Sequence, residues 1–179
     1  MSELILIPYV QINGQWTLTD EMLAFMCGMM VKEGSAKTFF YDGAVLNESN
    51  FIRICKAGNV HFMFSDDGQP AAMGMLNNFG ANYAHAHWLC FKNIWGKQTD
   101  EAISKSLKYW FNFMKDGKPL FDVLLGIYPE TNGRIDKFAK ESGFTVIGAI
   151  PDILYNYWEN RKMGAVFSYI ERRSVIWDS

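Results

Sequence analysis

The chain has 179 residues, 49% of them hydrophobic and 16% aromatic, enough to bury roughly 70% of the unfolded surface around one core and too apolar for long disorder. Seventeen Lys plus Arg against 19 Asp plus Glu leave a formal net charge of -2, which excludes a general electrostatic pull toward nucleic acid or an anionic membrane. The apolar run Leu4-Ile5-Leu6-Ile7 is cut by Pro8 and no later run reaches the ~20 residues of a membrane span, so one domain over residues 1–179 is expected, with no membrane partner.

Cys27, Cys55 and Cys90 are odd in number, far apart and set among apolar neighbours. That pattern suits reduced thiols in a cytoplasmic protein rather than a disulfide framework.

Leu4 to Gln11 reads as an opening strand, followed by an Asn13-Gly14 turn. Thr17 offers an N-cap with Asp20 placed like the acid of a capping box, and Met22, Leu23, Met26, Met29 and Met30 fall on one helical face. Asn47 or Ser49 caps a second, shorter helix carrying Phe51, Ile52 and Cys55, with Gly58 at its end. Val60 to Phe64, the Asp66-Asp67-Gly68 turn and Ala71 to Asn77 form a β-hairpin. Ala84 to Phe91 is the next strand. A helix from Thr99 to Lys115 follows, with Ile103, Leu107, Trp110, Phe111 and Met114 at helical spacing.

That helix lies between two apolar strands, the second being Val123 to Tyr128. A right-handed crossover then sets these strands parallel. After Pro129-Glu130-Thr131-Asn132 comes a short amphipathic helix ending at Gly143, then a strand from Phe144 to Pro151. An aromatic loop with Tyr155, Tyr157 and Trp158 leads to a last strand from Gly164 to Arg173. The expected fold class is α/β (α+β), a mixed central sheet with helices on both faces.

His85 and His87 alternate with Ala84, Ala86 and Trp88, so on a strand both imidazoles point to the same face. With an ordinary pKa near neutrality, such a pair can accept a proton from an ammonium directly or through water. The alternative is a structural or solvent-facing pair. A zinc site lacks its remaining ligands, since His61 is the only other histidine and no Cys or carboxylate has motif spacing.

The segment from Val123 to Pro151, with Asn132 at the helix entrance, Gly143-Phe144 at its exit and the Ile150-Pro151 ending, resembles the C-terminal half of GCN5-related N-acetyltransferase (GNAT) domains. The run Ala84-His85-Ala86-His87-Trp88-Leu89 resembles the Ala-His-x-His-x-Leu strand of arylalkylamine N-acetyltransferases. The resemblance implies an acyl-CoA N-acyltransferase (GNAT) fold and transfer of an acetyl group from acetyl-CoA to a small-molecule or peptide amine. His85 and His87 would be the catalytic residues. The cofactor would lie against Leu89, Phe91, the loop residues Gly96, Lys97, Gln98 and Thr99, and Asn132, whose other role is that of an N-cap.

The chain departs from the family in two places. Members carry an Arg/Gln-x-x-Gly-x-Gly/Ala loop whose glycines let backbone N–H groups close on a pyrophosphate. Here Trp95-Gly96-Lys97-Gln98-Thr99-Asp100-Glu101 restores that pattern in neither register. A carboxylate about 4 Å from a phosphate charge repels it by roughly 1–4 kcal/mol, against a helix N-terminus contribution of about 0.3–1 kcal/mol. Asp100 and Glu101 therefore read as residues that satisfy the helix dipole themselves. Where relatives place a proton-donating Tyr, this chain has Ala139, leaving Tyr128, Tyr155 or Tyr157 as substitutes. The motif losses also resemble those of small phage-encoded proteins, some labelled head-assembly or internal virion proteins. That likeness implies a catalytically inactive scaffold with a protein partner, which would meet the aromatics from Tyr155 to Trp158 and Trp177.

Overall fold

The apolar runs become seven strands of one sheet in the computed structural model, which describes residues 3–96 and 98–175. The strands are β1 (Ile5–Pro8), β2 (Asn59–Phe64), β3 (Pro70–Asn77), β4 (Tyr83–Cys90), β5 (Val123–Pro129), β6 (Thr145–Asn156) and β7 (Arg161–Glu171). Their order is β1-β2-β3-β4-β5-β7-β6. β4 and β5 run parallel, and the other neighbours antiparallel.

Helices cover both faces. On one side α1 (Asp20–Glu33) and α3 (Glu48–Ala57), with the short α2 (Ser35–Phe39) between them, bury Leu23, Met26, Met30, Phe51 and Cys55 of α1 and α3 against Phe62, Met73, Leu89 and Phe91. Each large side chain taken out of water adds about 1.5–3 kcal/mol. That outweighs the roughly 1 kcal/mol that Gly28 costs inside α1. On the other side α4 (Thr99–Phe111) and α5 (Gly133–Glu141) pack Ile103, Leu107, Trp110 and Phe138 onto Ala84, Ala86, Leu124 and Phe144.

Several local expectations are corrected. Thr19, not Thr17, caps α1, its Oγ1 accepting from the Met22 N–H at 3.3 Å. The Thr17 hydroxyl instead donates to the Pro8 carbonyl at 2.6 Å, and Met22 is exposed. Helix α4 stops at Phe111 rather than Lys115. Met114–Lys115 pairs with Lys118–Pro119 in a two-stranded ribbon whose turn residues Asp116 and Gly117 both have positive φ, the geometry of a tight hairpin turn. Strand β6 extends to Asn156 across two register shifts, so Tyr155 belongs to the strand and not to the loop. Asn47 caps α3 and Gly143 closes α5 at φ 86°, both as the spacing predicts.

The α4 face of the sheet holds a buried polar pair. His61 Nε2 lies 2.8 Å from Ser106 Oγ, and that hydroxyl donates to the Ala102 carbonyl at 2.9 Å. The hydroxyl therefore accepts from a His61 Nε2–H, and the neutral Nδ1 is left buried without a partner. Burial pushes the His61 pKa down to about 3. The imidazole lies edge-on to Tyr109 and Trp110 and directly over Gly74, where a Cβ would stand 2.4 Å from its Cε1.

Candidate active site

The parallel pair β4/β5 opens partway along its length. Its register runs Tyr83↔Val123, Ala84↔Leu124, His85↔Leu125 and ends there, although β4 continues to Cys90 and β5 to Pro129. On its other edge β4 stays paired with β3 as far as Cys90, and the Phe91 N–H donates to the Ala71 carbonyl. Alternation in that antiparallel ladder turns the N–H and C=O of Leu89 and the N–H of Phe91 toward β3, and the N–H and C=O of Trp88 and Cys90 toward the gap, while the Phe91 carbonyl accepts from the Ile94 N–H. The structure thus places the side chains of Leu89 and Phe91 in the α1–α3 core and their backbone away from the opening. The gap-facing groups on this strand belong to Trp88 and Cys90, which only the register could reveal.

Trp88 closes the α4/α5 side of the opening. Its ring packs on Trp110 at 4.8 Å and edge-on to Phe144 at 5.5 Å, with its indole N–H buried and unpartnered. The Cys90 carbonyl accepts from the Trp95 indole at 2.9 Å.

His85 and His87 share the opposite face. His87 is the more enclosed. Its Nε2 lies 3.0 Å from Asn77 Oδ1, so the N–H donates to that carbonyl and the lone pair sits on Nδ1. Burial, with help from His85, pushes its pKa down to about 4, while Asp42 opposes the shift. His85 lies 3.4 Å from the Asn78 amide through its Nδ1, and burial lowers its pKa as well. Both rings are neutral at pH 7.

His87 forms part of the lining of a cavity of about 310 Å³ that also includes Phe39, Asp42, Ile54, Met75 and Asn77. The outer wall, from Phe40 to Gly43, is held by the β6–β7 turn. The Trp158 indole donates to the Phe40 carbonyl at 2.9 Å, the Tyr157 N–H donates to the Tyr41 carbonyl at 2.8 Å, and Lys37 Nζ sits 5.4 Å from the Trp158 ring. Tyr157 lies so close over Gly43 that a Cβ there would meet its ring at 2.6 Å. Sequence reasoning missed this cavity and Asp42, because nothing local ties residues 40–43 to a turn more than 110 positions away.

The loop before α4 has the sequence's irregular character. Thr99 Oγ1 donates to the Ile94 carbonyl, and no side chain caps the helix at Gln98. Glu101 turns away from the loop to accept from the Leu4 N–H at 2.9 Å and to pair with Lys105 at 3.3 Å. Asp100 remains exposed in the first turn. Gly96 has φ 75°, and Lys97 and Trp177 lie outside the described residues. Asn132 follows β5 at the mouth of α5. Its side chain makes no capping hydrogen bond; its backbone carbonyl accepts from Ile135 and Asp136.

The tyrosines near this region are committed elsewhere. The Tyr128 hydroxyl donates to Asp136 at 3.3 Å, and burial pushes its pKa up to about 12. Tyr155 donates to Asn160, and Tyr157 packs on Gly43. Ala139 is buried in the core. Among the described residues no group of three His, Cys, Asp or Glu side chains is placed to hold a metal, and no helix is long and apolar enough to cross a membrane.

Solved structures share the architecture. A spermidine N-acetyltransferase from Vibrio cholerae, in complex with CoA and spermine, superposes with a TM-score of 0.74 at 13% identity, covering 97% of this chain and 98% of that one. A ribosomal-protein-S5-alanine acetyltransferase from Vibrio fischeri gives 0.69 at 8% identity, covering 98% and 97%. No family model matches the sequence, and no curated protein does. The fold is that of the GCN5-related N-acetyltransferases. At these identities the likeness carries the architecture, and the chemistry must be argued from the residues of this chain.

Proposed function

We propose that this protein is an acyl-CoA-dependent N-acyltransferase that moves an acetyl group to an amine, with the acyl donor's pantetheine arm in the gap between β4 and β5. The observation that carries this reading is the end of β4/β5 pairing at His85↔Leu125. It leaves the Trp88 N–H and C=O and the Cys90 N–H aimed into an opening, where an amide-bearing chain can pair with them, while the Cys90 carbonyl is held by the Trp95 indole. When bound, acetyl-CoA supplies a thioester carbonyl open to direct attack by nitrogen. Asn132, at the end of β5 with its amide free of the cap, and the loop residues Gly96, Lys97, Gln98 and Thr99 would meet the rest of the cofactor. The pyrophosphate end is the weaker part of the fit, because Asp100 stands in the first turn of α4.

The pKa of His87 sets its role. Removing a proton from a Lys-like ammonium at about 10.4 with an imidazole at about 4 is uphill by roughly 9 kcal/mol. His87 is thus a poor base for the resting ammonium, whose first proton passes to solvent water before the neutral nitrogen attacks. It suits the later proton, because the acceptor nitrogen becomes far more acidic once its lone pair is shared with the acyl carbon. Nδ1 takes that proton, and His85 relays it toward solvent. No general acid is needed at Ala139 if the departing thiolate, with a parent pKa of about 8.5, is protonated by water.

Calorimetry with acetyl-CoA tests the reading. Binding in the micromolar range supports it, and silence at millimolar ligand removes it. His87→Ala should then lower turnover by about 10²-fold or more while leaving acetyl-CoA affinity nearly unchanged; an unchanged rate removes His87 from the mechanism. A second reading, a protein-binding scaffold without chemistry, draws on the altered loop and on Ala139. The aromatics it would use are partly spent inside the molecule, since Tyr157 and Trp158 hold the cavity wall.

A further inference from the structure

The outer side of helix α1 is apolar where a surface helix is ordinarily polar. Phe25 is 58% exposed, Met22 40% and Val31 66%. The core takes Leu23, Met26 and Met30 from the opposite side of the helix, and no described residue covers this one. Gly28 lies on the same exposed side, inside the helix, where it costs about 1 kcal/mol relative to Ala. Nothing stands within 4 Å of the place a Cβ would take there. The fold itself thus gives no packing reason for a glycine, and the recess beside Phe25 is open only to something outside the chain. Glu21, Phe25, Gly28 and Lys32 follow at spacings of three and four and form one line down that side. The acid stands in the first turn of α1 and the base in the last. No ion pair engages either among the described residues.

We infer that this face binds a second copy of the chain, with the two α1 helices antiparallel across a two-fold axis. The midpoint of Glu21 and Lys32, between Met26 and Cys27, is also the midpoint of Phe25 and Gly28. One axis through that point brings Glu21 of each copy to Lys32 of the other and seats each Phe25 ring in the recess over the other's Gly28. Met22 and Met29 share one flank of the line and meet across the same axis. The helix dipoles are antiparallel as well, which adds to the attraction. A partner of single charge would leave one end of the line unmatched, whereas a second copy matches both ends. Helix α1 is about 21 Å long. A contact of that length is at the small end of specific interfaces, so association is expected at micromolar concentration. The inference stands independently of the acyltransferase reading.

Sedimentation equilibrium of the full chain from about 1 to about 200 µM tests the inference. The expected result is a concentration-dependent rise from the mass of one chain to twice that mass. Gly28→Gln fills the recess with a better helix former, so it should raise the thermal midpoint of the single chain while weakening association about tenfold or more. Lys32→Glu should weaken association about tenfold, because two like-charge pairs replace two attractive ones. Adding Glu21→Lys to that variant should restore most of it. A single-chain mass across the whole range, undiminished association of Gly28→Gln, or a charge-swapped double variant that associates no better than Lys32→Glu each overturns the inference. If a variant fails to fold, the mass of the unaltered protein decides alone. Acetyl-CoA calorimetry judges the acyltransferase reading separately.

Discussion

Acid sensitivity of the fold is the consequence that can be worked out furthest. His61 is fully buried with a pKa pushed to about 3, and His87 is largely buried with one near 4, against an ordinary 6.5 for both. The unfolded chain therefore binds protons at these positions that the folded chain refuses. Stability is fully present above pH 6.5 and is lost as pH falls toward the folded values. Between pH 7 and pH 5 each histidine contributes a loss of roughly 2 kcal/mol, about 4 kcal/mol together, a large share of a typical 5–15 kcal/mol. His85, also lowered by burial, acts in the same direction. The carboxyls of Glu3, Glu21, Asp67 and Asp136 are held below their ordinary range, each by a hydrogen-bonding partner, so their contribution is lost only below about pH 5. Urea unfolding at half-unit steps from pH 7 to pH 5 reads the histidine window by itself. His87→Gln should remove about half the slope. A flat stability profile over this window would refute the burial argument for both rings.

Three further outcomes follow from the same geometry. Gly74→Ala drives a methyl group into His61 and Trp110 and should cost about 2–4 kcal/mol by denaturant melting, from overpacking and a lost His61–Ser106 bond; a loss under 0.5 kcal/mol contradicts the packing described. Ser106→Ala leaves a buried imidazole N–H without an acceptor and should cost about 1–3 kcal/mol in the same measurement. Trp95→Phe keeps an aromatic ring but releases the Cys90 carbonyl, so acetyl-CoA should bind about fivefold tighter, an effect of about 1 kcal/mol; weaker binding would show that the indole assists the ligand.

Much of the sheet was legible because its signals are local. The apolar run, helix, apolar run pattern from Ala84 to Tyr128 dictates a crossover and hence a parallel pair, and the His-x-His spacing dictates a shared face. The end of α4 was not legible. Met114 continues the apolar stripe, yet Asp116-Gly117 favours a hairpin turn strongly enough to stop the helix early. Helix α2 carries no capping side chain and no buried residue to announce it. At the site, the side-chain face of β4 could be read from alternation. Which backbone groups face the gap depends on the β3 register, and Asp42 enters through a turn held by Trp158. Long-range contacts of that kind leave no mark in neighbouring sequence.

Amide hydrogen exchange with and without acetyl-CoA tests the central claim most directly, because the gap-facing N–H groups of β4 are specified residue by residue. The account predicts new protection at Trp88 and Cys90, with Leu89 and Phe91 unchanged because they are already bonded to β3. Unaltered exchange at Trp88 and Cys90 under saturating ligand would contradict it.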